Sequence, residues 1–183
     1  MIGIGFDPGL NVTGAALVRC RPGARPYRLE AVAQSQNGFE SEGRRLVELE
    51  DWAQWLVDDW LDGWAGAPAV FGVEAFEVQG KTRHAVGRFL RACRPTLRAQ
   101  AALEIGVYRA AGGSCLSVTS GGWHRALRVP ASRTGRRADI KRNAKRWLTA
   151  ICENSAIAET DHMVDAAFVA IHEINRARPE MWR

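Results

Sequence analysis

Apolar and polar positions divide this chain into short strand-like runs at its start and helical periods further on. Ile2, Ile4 and Phe6 alternate with Gly3 and Gly5 and end at Asp7 before Pro8-Gly9. That pattern predicts a buried strand with little bulk on one face, running into a turn. A second apolar run, Thr13 to Val18, follows at once, so the two read as a hairpin through Leu10-Asn11-Val12; Tyr27 to Gln34 suits a third strand. From Glu42 to Leu61, the residues Leu46, Leu49, Trp52, Ala53, Leu56 and Trp60 recur at helical spacing with acids between them. This is a helix whose tryptophans belong to a core. After a loop over Gly63 to Pro68, Ala69-Val70-Phe71-Gly72-Val73 is a near-continuous apolar run ending in Glu74, as expected of a strand inside a sheet covered on both faces.

Lys81 to Ala111 reads as helical, with a kink or restart at Pro95 and an end at Gly112-Gly113. Ser114 to Val118 is a further short strand, and Ser120 is placed to cap the segment after it. Val129 to Arg137 has the composition of a basic loop. Ala138 to Ile151 is an amphipathic helix, with Ile140, Ala144, Trp147 and Leu148 on its apolar side. The last helix starts near Thr160, its cap. His162 and Asp165 are three apart and Asp161 and Asp165 four apart, so each pair shares a face. The sum is an α/β chain, about five strands flanked by helices, forming a single domain over residues 1–183.

Composition adds a compartment and a partner. No basic stretch leads into an apolar leader, and no apolar run is long enough to span a bilayer. Cys20, Cys93, Cys115 and Cys152 stand singly. A soluble, unprocessed protein of a reducing cytoplasm (the host's, for a phage member) is expected, with no membrane partner. The net charge of +5 conceals an asymmetry. Residues 81–150 hold sixteen Lys and Arg against two Asp and Glu, while the segments on either side are net acidic. Such a field suits a nucleic acid.

The acids suggest what is done to it. Asp7 and Glu74 each close a buried strand, and Asp165 lies inside a helix beside an apolar run. Asp7 also fits a turn-forming Asp-Pro-Gly, and Asp161 fits helix-dipole compensation. Carboxylates brought by separate rigid elements to one place are what phosphodiester hydrolysis with two divalent ions requires, since hard cations prefer oxygen ligands.

The order of elements is that of the ribonuclease H-like fold, with a mixed central sheet. More narrowly, the chain resembles the RuvC family of Holliday-junction resolvases. The residues that carry this are Gly5-Phe6-Asp7-Pro8-Gly9-Leu10-Asn11-Val12-Thr13-Gly14, Val73-Glu74 before a basic helix, and Asp161-His162-Met163-Val164-Asp165-Ala166-Ala167, supported by Thr119-Ser120 and Gly135-Arg136-Arg137-Ala138-Asp139-Ile140-Lys141. The resemblance implies that Asp7, Glu74 and Asp165 bind Mg2+, two ions per site. The fourth ligand position falls on His162, where most members have Asp; Asp161 is the alternative. A nitrogen ligand would make Mn2+ a substitute. A homodimer nicking opposing strands of a four-way junction is implied as well, with branched DNA held by Lys81, Arg83, Arg88, Arg91, Arg136, Arg137, Lys141 and Lys145. The region Lys81 to Ala111 is the expected dimer contact, and Phe76 is either a base-stacking probe of the junction centre or a core residue. Two rival functions share these residues: a nuclease of broader branched or flap DNA, and a junction-binding protein without catalysis.

Overall fold

The computed structural model describes residues 1–23, 25–36, 41–75, 83–113, 115–132 and 134–178. Its centre is β1, Ile2–Asp7, buried at every position. β1 pairs antiparallel with β2 (Val12–Cys20), and β2 antiparallel with β3 (Tyr27–Gln36). On its other side β1 runs parallel to β4 (Ala69–Ala75), which runs parallel to β5 (Leu116–Thr119). The sheet order is β5-β4-β1-β2-β3-β6. The sixth strand, β6, exceeds the five expected: Cys152–Glu153 adds to the edge at Tyr27 and Arg28. Two residues directly after a helix carry no periodicity, so the pattern could not announce them.

Helices cover both faces. α1 (Glu42–Asp62) and α2 (Arg83–Ala111) pack on one; α3 (Ser120–Ala126), α4 (Arg137–Ile151) and α5 (Asp161–Ala177) pack on the other. α2 is one 29-residue helix through Pro95, so it does not restart there. Proline removes a single backbone donor, and α1 holds the part of α2 that follows it. Arg98 Nη1 lies 2.6 Å from Glu42 Oε1, Arg109 pairs with Glu50, and Gly106 lies against the Glu50 carbonyl. The cap of α3 is Thr119 rather than Ser120: its Oγ1 accepts from Gly122 N at 3.1 Å. Thr160 caps α5 as expected, accepting from Met163 N. Among the described residues no helix is long and apolar enough to cross a membrane, and no disulfide joins the four cysteines.

The period of two along the strands sorts the site from the core. Ile2, Ile4 and Phe6 enter the α1–α2 core together with Phe71 and Val73. The intervening Gly3, Gly5 and Asp7, like Gly72 and Glu74, therefore face α5. There the missing side chains have a use. A Cβ on Gly5 would stand 2.1 Å from the Ala166 carbonyl oxygen, and one on Gly14 would stand 2.3 Å from that of His162. α5 thus lies directly on the sheet, which brings its acid within reach of the strand ends. Its residues from Val164 to Ile171 are all buried, as befits a helix enclosed between a sheet and other helices.

Gly5→Ala is expected to destabilise the protein by about 1–3 kcal/mol, the usual range for overpacking a filled interior. It is also expected to weaken divalent-cation binding by lifting α5. Gly43→Ala, whose added Cβ meets nothing within 4 Å, is the control. Thermal unfolding of both variants, with and without Mg2+, checks this; equal melting temperatures would show that α5 is not seated as described.

Candidate active site

Parallel pairing aligns Phe6 with Val73, so the next residue along each strand, Asp7 and Glu74, emerge side by side at the carboxyl end of the sheet. Asp165, one turn into α5, comes down on them from above. One carboxylate oxygen from each of the three lies within 4.8 Å of the others. All three residues are buried, at 6–8 % exposure. The turn after Asp7 is fixed by Thr13, whose Oγ1 donates to the Gly9 carbonyl at 2.7 Å and accepts from Gly9 N at 3.2 Å. Thr13 therefore serves the shape of the motif.

Three anions with so little water repel one another and lose hydration. Burial, then the charge of Asp7 and a hydrogen bond to it, push the Glu74 carboxyl up to about 9. Burial likewise raises Asp165, to about 6, against the opposing pull of Lys141. Lys141 and His162 meet the cluster. The Lys141 ammonium donates to Asp165 Oδ2. His162 Nδ1 lies 2.5 Å from Asp7 Oδ2, and this hydrogen bond raises the imidazole's proton affinity over the opposing effect of its burial. Asp165 Oδ1 is buried with no hydrogen-bond partner among the described residues. An all-oxygen donor set, convergent, anionic and with one oxygen unpaired, fits hard divalent cations.

The cluster floors a cleft of about 460 Å³, walled also by Pro8, Gly9, Thr96, Ser120 and Arg137. A shallower groove runs on along α4, past Lys141, Arg142, Lys145 and Arg146. Of the residues expected to hold DNA, Arg137 and Lys141 line the cleft, Lys145 the groove, and Arg136 and Arg91 are exposed. Arg83 and Arg88 fall within α2. Phe76 and Lys81 lie outside the described residues. Asp161 lines the cleft from the exposed first turn of α5. It is not part of the three-carboxylate group, whereas His162 touches Asp7.

Lys141 is where sequence reasoning stopped short. It appears there as one phosphate contact among many cations, yet its ammonium sits in the acid cluster. A signal was present: Lys141 precedes the buried Ala144 and Leu148 by three and seven residues, so it continues the apolar stripe of α4. Thr96 and Ser120 carried no comparable signal.

No protein-family model matches this chain, and no curated protein matches it by sequence. Its fold does match. The structure of Thermus thermophilus RuvC is 20% identical at a TM-score of 0.63, covering 98% of this chain and 97% of that one. T. thermophilus RuvC in complex with Holliday junction substrate is 18% identical at 0.61, covering 98% and 96%. The chain thus has the ribonuclease H-like fold of RuvC over nearly its whole length.

Proposed function

We propose that this chain is a metal-dependent endodeoxyribonuclease that resolves four-way DNA junctions. The observation that carries the reading is the buried Asp7–Glu74–Asp165 cluster, with an unpaired carboxylate oxygen, opening onto the arginine- and lysine-lined groove of α4. Structures that share its fold include a RuvC bound to Holliday junction substrate.

Asp7, Glu74 and Asp165 would hold Mg2+, two ions per site, with Mn2+ as a substitute; bound there, the cations polarise the attacked phosphate and neutralise the charge developing on the leaving oxygen. The protein's own groups do the rest. Glu74 gives up its proton to become a ligand. Lys141 releases Asp165, and its ammonium is then free for a substrate phosphate. His162 holds Asp7 in position and supplies the fourth ligand position, ahead of Asp161. Arg136, Arg137 and Lys145 bind the flanking backbone, which positions the strand without reading its sequence. A single nuclease domain acts as a homodimer, so that two sites related by a two-fold axis meet the two opposing strands of a junction. Leu90, Ile105 and Tyr108, exposed apolar residues of α2, suit the subunit contact. The role is in recombination and repair of DNA in the cytoplasm.

The test is a labelled four-way junction, a flap and a plain duplex, each incubated with Mg2+, Mn2+ or EDTA. Paired symmetric nicks in the junction, absent in EDTA, are expected. Equal cutting of flaps would make the protein a broader nuclease. Tight junction binding without cleavage under either metal would overturn the enzymatic reading.

A further inference from the structure

A second cavity, of about 420 Å³, adjoins the carboxylate cleft and shares Ser120 with it. His124, Pro130, Ala131, Ser132 and Ile140 are among its walls. Among the described residues no carboxylate or thiol faces it, and a lone imidazole does not make a metal site. Among the described residues no lysine or arginine lines it either, although Arg136 and Lys141 adjoin its walls at Gly135 and Ile140.

His124 is held in a fixed plane. Its ring stacks on Trp123 at 3.9 Å between centroids and 21° between planes, and Trp123 stacks on Phe168 at 4.9 Å and 10°. Trp123 and Phe168 have no exposure. Phe168 sits one turn beyond Asp165 on α5, so the orientation of the imidazole is tied through two buried rings to the helix that carries the acid. Burial, and after it Lys141, lowers the proton affinity of His124. A neutral imidazole offers one donor and one acceptor.

A mostly apolar pocket, with an aromatic wall and a few hydrogen-bonding atoms, beside a site fit for a phosphodiester and rimmed by cations, suits a nucleobase. The apolar walls take the faces of a base and the imidazole its edge, while neighbouring phosphates lie on the cations. Unstacking costs least where a base is already unpaired or lacks a neighbour, as at the crossover of a four-way junction. We propose that this cavity takes one unstacked base of the strand being cut, next to the phosphate in the cleft, and that His124 reads its edge and so sets the sequence at which the protein cuts. The proposal rests on the nuclease reading above and deepens it.

Two measurements separate the two claims. In EDTA, junctions carrying 2-aminopurine singly at each position around the crossover are titrated with protein. A fluorescence change confined to one position is expected in the wild type and lost in Ala131→Trp, which fills the cavity from its exposed rim. In Mg2+, a junction set with all four bases at that position is cut. The wild type is expected to favour one base by about tenfold or more, the scale at which a hydrogen-bonded base edge discriminates; His124→Ala should reduce that preference to within about twofold. A uniform fluorescence response, or a preference untouched by both variants, would overturn the base pocket even if junctions are cut. Absence of any cutting, with a position-specific response intact, would overturn the nuclease reading and leave the base pocket standing.

Discussion

Asp7→Asn is expected to reduce junction cleavage by about a thousandfold or more, equivalent to ~4 kcal/mol of barrier, while junction affinity in EDTA stays within about twofold. Asparagine keeps the volume and removes the charge. The amide nitrogen cannot ligate a cation, and the partners of the carboxylate, Glu74 and His162, lose the anion that holds them. Binding is spared because the groove along α4 is built from Arg142, Lys145 and Arg146, outside the cluster. The same substitution is expected to raise the melting temperature of the metal-free protein. The charge of Asp7 raises both Glu74 and Asp165, so removing it relieves repulsion at both. Greater stability together with lost cleavage is the signature of a site assembled against its own electrostatics. A variant that cuts at more than a tenth of the wild-type rate would remove Asp7 from the ligand set. Lower stability would show that the contacts of Asp7 with His162 and Glu74, or its place in the Asp-Pro-Gly turn, outweigh that repulsion.

Much of this arrangement was legible in the sequence because it is local. The alternation of Ile2, Ile4 and Phe6 with glycines marked both the strand and its light face. The apolar run into Glu74 marked a strand inside a covered sheet, and the placement of Asp165 beside Ala166-Ala167 marked an acid held inside a helix. Those three signals each come from a few neighbouring residues. What was not legible depends on contacts across the chain. α2 runs on through Pro95, and the turns beyond it are held by α1. The short β6 exists only because Tyr27 and Arg28 offer an edge. The capture of Lys141 by Asp165 joins residues 24 positions apart; the stripe of α4 could set Lys141 apart from the other cations, but not name the acid it meets. The stack of Phe168, Trp123 and His124 was hidden for the same reason. Only the packing of α3 against α5 turns three scattered rings into one object.

The cluster also ties stability to pH and to metal. In EDTA the melting temperature of the wild type is expected to fall as pH rises from about 5 to about 9, and saturating Mg2+ is expected to remove most of that fall. Glu74 titrates near its ordinary 4.5 in the unfolded chain and at about 9 in the fold. Between those values the folded state keeps a proton that the unfolded chain has released. Stability is therefore full below the lower value and is lost as pH rises through the upper one. Asp165, raised from 3.8 to about 6, acts in the same direction over the acidic part of the range. His162, also raised, loses its contribution as pH passes its folded value. A divalent cation reverses the sign, because it binds the deprotonated acids and must displace the Glu74 proton. Its affinity should rise by up to about tenfold per pH unit until that proton is gone. Glu74→Gln isolates the effect from the titration of the surface. Its melting temperature in EDTA should exceed that of the wild type by a margin that widens toward pH 9, and added Mg2+ should move it little. A wild-type curve parallel to that of Glu74→Gln across the range would mean that Glu74 is ionised in the metal-free fold. The ammonium of Lys141 would then suffice to balance the cluster, and the argument that these acids are held in readiness for a cation would fail with it.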